Sequence, residues 1–380
     1  MSTEYKVKKT FSGHTNYVRC LALFPDKKPH HNFISGSFDK TIKRWNIDED
    51  NALNTYQATP DNVWCLAVLD NFYFISACGR DIKLWDISFA QPLYTYNGGH
   101  TGHRNAVLAL AVFPDEEPNP DEDTRKPSKA PSFISGSADN TIKLWNINEY
   151  YALRTYEGHT GPVWTLAILN DGTFISGSND STIKLWKIDK TTPELTYEGH
   201  TAAVGALAVL NDGTFISGSS DNTIKLWNKD KTTPERTYEG HTGPLWALAV
   251  LDDKTFISGS EDRTIKLWKI GKTTALRTYK GHTNIVCALA VLEPHSFISA
   301  SADKTIKLWS YLEDPLEDDI KMYLNKTFTV GPSHNIQSYL PNLFAHKVQK
   351  ITGGKRRNKK SKKKRSNKKK YRKTRRKSRK

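Results

Sequence analysis

The sequence predicts an all-β fold in which seven four-stranded antiparallel sheets stand radially and close into a ring. Three observations carry that prediction. One phrase recurs almost letter for letter in four successive copies: FISGSADNTIKLW, FISGSNDSTIKLW, FISGSSDNTIKLW and FISGSEDRTIKLW. Tryptophans close seven copies, at Trp45, Trp85, Trp145, Trp186, Trp227, Trp268 and Trp309, and from Trp145 onward the step is 41 residues. Each period holds four short runs of β-branched and aromatic residues separated by turn signals, with no helical spacing. A fixed period in this range marks a repeat architecture.

The copy from Gly158 to Glu198 shows the elements in order. PVWTLAIL is apolar and long enough for a strand buried on both faces. TFISGS follows Asn170-Asp171-Gly172, a hairpin signal. TIKLWKI follows a second tight turn, Asn179-Asp180-Ser181, and LTYE then leads into Gly199-His200-Thr201 and the next copy. A lone four-stranded sheet cannot bury both faces, whereas seven packed side by side can, provided the ring closes. The segment from Tyr5 to Phe11 matches the position of LRTYE elsewhere and should supply the outer strand of the last sheet. The segment from Leu324 to Val330 competes for that place but is out of register with any Gly-His.

The second copy departs from the pattern. It reads Tyr56-Gln57-Ala58-Thr59 where others have Tyr-Glu-Gly-His, and its second turn is one residue shorter, at Cys78-Gly79-Arg80-Asp81. The His and the turn Asp are lost together, as expected of partners. Trp85 remains, so the copy counts as a sheet, but a softer one.

At 380 residues the chain could bury one large core or split in two. The repeats leave no room for a second substantial domain, so residues 1–310 form the ring, 311–352 a partly ordered extension and 353–380 a disordered tail. The formal charge of +16 is concentrated at one end: 19 of the 56 Lys and Arg fall between Lys355 and Lys380, where there is no acidic residue. The four cysteines, Cys20, Cys65, Cys78 and Cys287, show no metal-ligand spacing and suit a reduced compartment. MSTEYKVKK lacks a signal-peptide core, and no apolar run reaches membrane-spanning length. A soluble intracellular protein, with the nucleus favoured over the cytoplasm and the ring monomeric, is the expectation.

Gly-His pairs open six copies, at Gly13-His14, Gly99-His100, Gly158-His159, Gly199-His200, Gly240-His241 and Gly281-His282. An Asp sits in the second turn at Asp39, Asp139, Asp180, Asp221, Asp262 and Asp303, six residues before a Trp. This pattern resembles the WD-repeat β-propeller family. The resemblance implies a seven-bladed propeller whose blades each contain a hydrogen-bonded tetrad. In the fourth copy these would be His159, Asp180, Trp186 and Ser176, with Ser178 as the alternative serine. Six identical His/Asp/Ser sets read as structural networks, since geometry and role define a catalytic triad. There is no GxSxG, glycine-rich phosphate loop, HExxH or cluster of metal ligands. No enzymatic activity, cofactor or metal is expected.

Specificity should lie where the copies disagree. Between Gly158–Glu198 and Gly199–Glu239, 31 of 41 positions are identical, and four of the ten differences cluster at Gly161, Pro162, Trp164 and Thr165. The resemblance places these positions, and those before the turn Asp, on the top face at the mouth of the central channel. Five residues after the histidine, or at the equivalent place, stand Arg19, Trp64, Leu108, Trp164, Gly205, Trp246 and Cys287. Tyr17, Arg19, Phe38, Trp64, Leu108, Trp164, Asn179, Trp246 and Glu261 are therefore the candidate residues for binding a protein or peptide, because Trp, Tyr and Arg often anchor interfaces. The alternative is that the tryptophans pack between neighbouring blades.

Two segments stand outside the repeat. An acidic, proline-rich insertion runs from Asp115 to Pro131 and joins the first two strands of the third blade; solvation is its plainest role. His30 and His31 belong to a shorter insertion and are expected to be exposed loop residues. The tail, with one aromatic and no aliphatic residue, cannot bury a core. Lys355, Arg356, Arg357, Lys362, Lys363, Lys364, Arg365, Arg375, Arg376 and Lys377 suit nucleic acid or another polyanion, or an import receptor. The sequence thus points to a non-catalytic scaffold with a basic tail. The alternative is a nucleic-acid-binding protein in which the tail carries the main activity.

Overall fold

The computed structural model describes residues 7–25, 31–58, 60–114, 132–210, 213–293 and 296–310. The acidic insertion, His30, the segment from Leu324 to Val330, the extension and the tail lie outside them. The ring falls within the compact unit Met1–Glu313.

Apolar β-branched phrases separated by Asp/Gly turns become 28 strands in seven four-stranded antiparallel sheets, a seven-bladed β-propeller. In the fourth blade the strands are Val163–Ile168, Phe174–Ser178, Ile183–Trp186 and Leu195–Tyr197, paired in that order from the channel outward. The second strand is buried along its whole length, FISGS, because it packs against a blade on each side. The last blade combines Val286–Glu293, Ser296–Ser301 and Ile306–Ser310 with Val7–Phe11, which pairs antiparallel with Phe11 opposite Ile306. The N-terminal strand therefore closes the ring, as the position of Tyr5 to Phe11 predicts.

The apolar core lies between blades. One cluster joins Ile134, Ile142 and Tyr156 of the third blade to Val163, Phe174 and Trp186 of the fourth. Another joins Phe11, Ile298 and Ile306 of the last blade to Val18, Phe33 and Trp45 of the first. Tyr156 also donates its hydroxyl to the Ile188 carbonyl of the next blade at 2.9 Å, and Tyr56 and Tyr96 reach Ile87 and Ile147 in the same way. Such ties, with that of Tyr197 to Lys229, link each of the first four blades to the next.

A departure from regular pairing recurs at one place in every blade. The inner strand slips register between Val163 and Thr165, leaving Trp164 as the extra residue opposite the Ser178–Gly177 step. The same slip leaves Arg19, Trp64, Leu108, Gly205, Trp246 and Cys287 as bulge residues of the other six inner strands. A β-bulge re-aims a side chain and ends regular pairing locally.

A candidate binding site at the channel mouth

The repeated residues form closed hydrogen-bond chains. In the fourth blade the Trp186 indole N–H donates to Ser176 Oγ at 2.8 Å, Ser176 meets His159 Nε2 at 2.7 Å, and His159 Nδ1 lies 2.7 Å from Asp180. A neutral histidine protonated on Nδ1 gives every member a partner: indole to hydroxyl, hydroxyl to Nε2, Nδ1–H to carboxylate. Ser176, not Ser178, occupies this chain. The Ser178 hydroxyl donates to the Gly161 carbonyl and accepts the Asp180 amide N–H. Asp180 also accepts from the Thr182 hydroxyl and the amides of Thr160 and Thr182. Its histidine, serine and indole partners are all buried, so the set is a cross-brace, far from any geometry in which a serine could meet substrate.

Five other blades carry the same chain. In the third blade its histidine is His103, which contacts Asp139 at 2.9 Å and Ser135 at 2.7 Å. His100, the histidine of the first Gly-His pair in this stretch, is exposed. The expectation that Gly99-His100 opens this copy is thus corrected. Gly98 and Gly99, both at positive φ, form an extra turn ahead of the working pair. In the second blade Trp85 still donates to Ser76 at 2.8 Å. The turn there is a two-residue hairpin with Gly79 at φ 60°.

The seven bulge residues gather at the channel mouth. Large and small side chains alternate: Trp64, Leu108, Trp164, Gly205, Trp246 and Cys287, with Arg19 completing the circle. Each large residue leans over a smaller neighbour toward the next large one. Trp64 and Trp164 come within 6.4 Å between ring centroids, and Trp164 and Trp246 within 5.7 Å, nearly perpendicular. Gly205 makes the second contact possible, since a Cβ there would sit 2.8 Å from the Leu245 carbonyl oxygen and 3.4 Å from the Trp246 ring. Arg19 reaches past Cys287, donating to its carbonyl at 3.4 Å, and lays its guanidinium 5.5 Å from the Trp246 ring centroid.

The aromatic run continues across the first blade. Phe38 meets Trp64 edge-on at 4.8 Å, and Tyr17, itself exposed, stacks on Phe38 at 6.0 Å. Tyr17, Phe38, Trp64, Trp164, Trp246 and Arg19 are thus one continuous surface. The tryptophans of the second, fourth and sixth blades are in contact with one another. Leu108 is buried. Asn179 and Glu261 stand exposed on turns of the fourth and sixth blades, where their amides bond to the Pro162 and Pro244 carbonyls, and neither joins the aromatic run.

The space below has a volume of ≈ 210 Å³, and Arg19 is the sole charged residue among its described lining. Cys20, Cys65 and Cys287 also line it. Burial pushes the Cys20 thiol up to about 12 and raises the Cys65 and Cys287 thiols as well, so they are protonated and unsuited to attack. His31 lies 3.1 Å from Asp48 in a surface loop. The sequence reading missed the bulge, and with it the reason these seven positions converge. The basic residues from 355 to 380 lie outside the described residues. Among the described residues no helix is long and apolar enough to cross a membrane.

The WD40 family (WD domain, G-beta repeat) matches residues 5–46, 90–146, 151–187, 191–228, 232–269 and 273–310. The matched stretches skip 47–89, which holds the second blade's degenerate copy. Among curated relatives, the probable coatomer subunit beta' of Schizosaccharomyces pombe is 31% identical over 168 residues, covering 43% of this chain and 18% of that protein. Mitochondrial division protein 1 of Saccharomyces cerevisiae is 28% identical over 155 residues, covering 40% of this chain and 21% of that protein. The chain therefore spans only a small part of either relative's length. The crystal structure of the WD40 β-propeller domain of Doa1 superposes with a TM-score of 0.68 at 26% identity, covering 82% of this chain and 98% of that one.

Proposed function

The chain belongs to the WD40 family, and from that premise we propose that it is a non-catalytic scaffold whose ring recruits a protein or peptide on its top face, while the basic tail directs it to the nucleus or to a polyanion. One observation supports the site above all. In blades otherwise close to copies of one another, the bulge residues differ, and those that differ assemble one aromatic surface with an arginine at its end. Packing alone does not require Trp at a bulge, since Leu108, Gly205 and Cys287 fill the same place in other blades. Trp and Arg on a half-buried surface are the usual anchors of binding energy. Among the relatives, the coatomer protein is by name a subunit of an assembly.

Affinity capture with the intact protein tests this reading against a variant carrying Trp64→Ala, Trp164→Ala and Trp246→Ala. Partners lost from the triple variant support the top face; partners all retained overturn it. The tail motivates a second reading, in which the 19 Lys and Arg between Lys355 and Lys380 bind nucleic acid and the ring is secondary. Deleting Lys355 to Lys380 separates the two. Loss of polyanion binding with retention of a protein partner favours the scaffold, and loss of every partner favours the second reading. Turnover of any substrate by the tail-less ring would remove the non-catalytic assignment.

A further inference from the structure

Two side chains at the mouth carry hydrogen-bond donors that the other described residues do not pair. Arg19 is half-buried, and a guanidinium has five N–H donors. Here it makes one long bond, to the Cys287 carbonyl at 3.4 Å, and no ion pair among the described residues. Trp246, on which it lies, has its indole N–H buried without an acceptor. Leaving a buried donor unpaired, as at the Trp246 indole, is costly. The two side chains are in contact, with the guanidinium 5.5 Å from the Trp246 ring centroid.

Resting on the top-face reading, we propose that the mouth binds a carboxylate: an aspartate or glutamate side chain of the protein partner, seated against Arg19 beside Trp246. Charge sets the class. Among the described residues Arg19 is the one charged side chain lining this space, so it neutralises a monoanion. A phosphate, with a charge of about −1.5 to −2, would be left partly uncompensated by a single arginine. The turn aspartates cannot serve in its place, since they are taken by histidine and threonine donors. Glu261, exposed on a sixth-blade turn, is the internal rival that a test must include.

The test uses the full chain with ¹⁵N-labelled indoles, the Trp246 signal being assigned by its absence in Trp246→Phe. The probes are N-acetyl-glutamate methylamide, the matching glutamine compound and the matching phosphoserine compound. The glutamate compound should shift the Trp246 indole signal saturably, and the glutamine compound should bind at least tenfold more weakly. Arg19→Met should abolish the shift while leaving the Trp64 and Trp164 indoles dispersed, and Glu261→Gln should preserve or strengthen it. Equal response to glutamate and glutamine, no response at all, or tighter binding of phosphoserine overturns the proposal. The wild-type comparison stands even if Arg19→Met fails to fold. Partners lost from the triple tryptophan variant but fully retained by Arg19→Met would overturn the carboxylate while leaving the top face intact. Partners retained by both variants would remove the top face itself.

Discussion

Ser176 accepts the indole N–H of Trp186 at 2.8 Å, and both side chains are fully buried. The same hydroxyl also serves His159. Replacing Ser176 by alanine orphans two buried groups and should cost about 2–6 kcal/mol, at about 1–3 kcal/mol for each. Ser76 of the second blade holds Trp85 but faces no histidine, having Cys78 Sγ at 3.5 Å instead. Ser76→Ala should therefore cost roughly half as much. Urea denaturation of the two variants measures the difference; equal losses would mean the histidine contributes nothing.

Phe11 carries the closure. It is completely buried, 5.2 Å from the Phe33 ring and 5.7 Å from Trp45, between the last blade and the first. Phe11→Ala should lower stability by about 3–5 kcal/mol. Hydrogen exchange should then rise first in Ile306–Ser310, the strand that Val7–Phe11 covers. Uniform acceleration around the ring would instead show that closure is not a local latch.

Acid should loosen the ring in two stages. Burial alone would raise the turn aspartates, yet hydrogen bonds from histidine and threonine outweigh it and hold Asp39, Asp139, Asp180, Asp221, Asp262 and Asp303 well below the ordinary carboxylate value. The unfolded chain takes up these protons first, near pH ~4, so the stability they confer is complete above that value and drains away as pH falls toward their folded values. Burial also holds His103 below its usual value, which adds a smaller loss beginning near pH ~6.5. Urea midpoints between pH 7.5 and pH ~3 should trace both stages. Asp180→Asn should weaken the ring at neutral pH but flatten the acid slope.

Six turns contain a strained residue. Lys40, Asn140, Ser181, Asn222, Arg263 and Lys304, each just after the turn aspartate, have φ between 68° and 73°. Left-handed backbone costs a residue other than glycine or asparagine about 1–2 kcal/mol. Arg263→Gly should therefore raise stability by about 0.5–1 kcal/mol once the extra freedom of the unfolded chain is counted. Asn222→Gly should change it little, because asparagine tolerates this region. A thermal scan of both variants checks the contrast.

Much of this molecule is legible in its sequence, for identifiable reasons. Seven tryptophans, the last five at a fixed step, define the blades, and the match between Tyr5–Phe11 and LRTYE identifies the closing strand. Both signals are periodic, and a repeat supplies its own internal comparison. The error at His100 arises because two Gly-His pairs lie three residues apart. The spacing from histidine to the first strand, four residues in His159–Val163 and His14–Val18, selects His103 ahead of Val107. The bulges are not legible, because no residue type marks them: Arg, Trp, Leu, Gly and Cys all occupy the position. What the bulge does to Trp64, Trp164 and Trp246, bringing together side chains from blades that are not neighbours, follows only from the ring's curvature.

Closure by the N-terminal strand has a consequence for the order of folding. Lys307 donates to Thr10 across 297 residues of sequence, whereas every other blade is assembled from one continuous stretch. During synthesis, the blades between can form one after another as the chain emerges. Val7–Phe11 meanwhile waits as an unpaired edge, and the first blade lacks the neighbour that covers Phe33 and Trp45. Long-range pairing of this kind is slow to find and exposes apolar surface until it does. The interval before residues 306–310 arrive is when this protein is most open to pairing with the wrong strand.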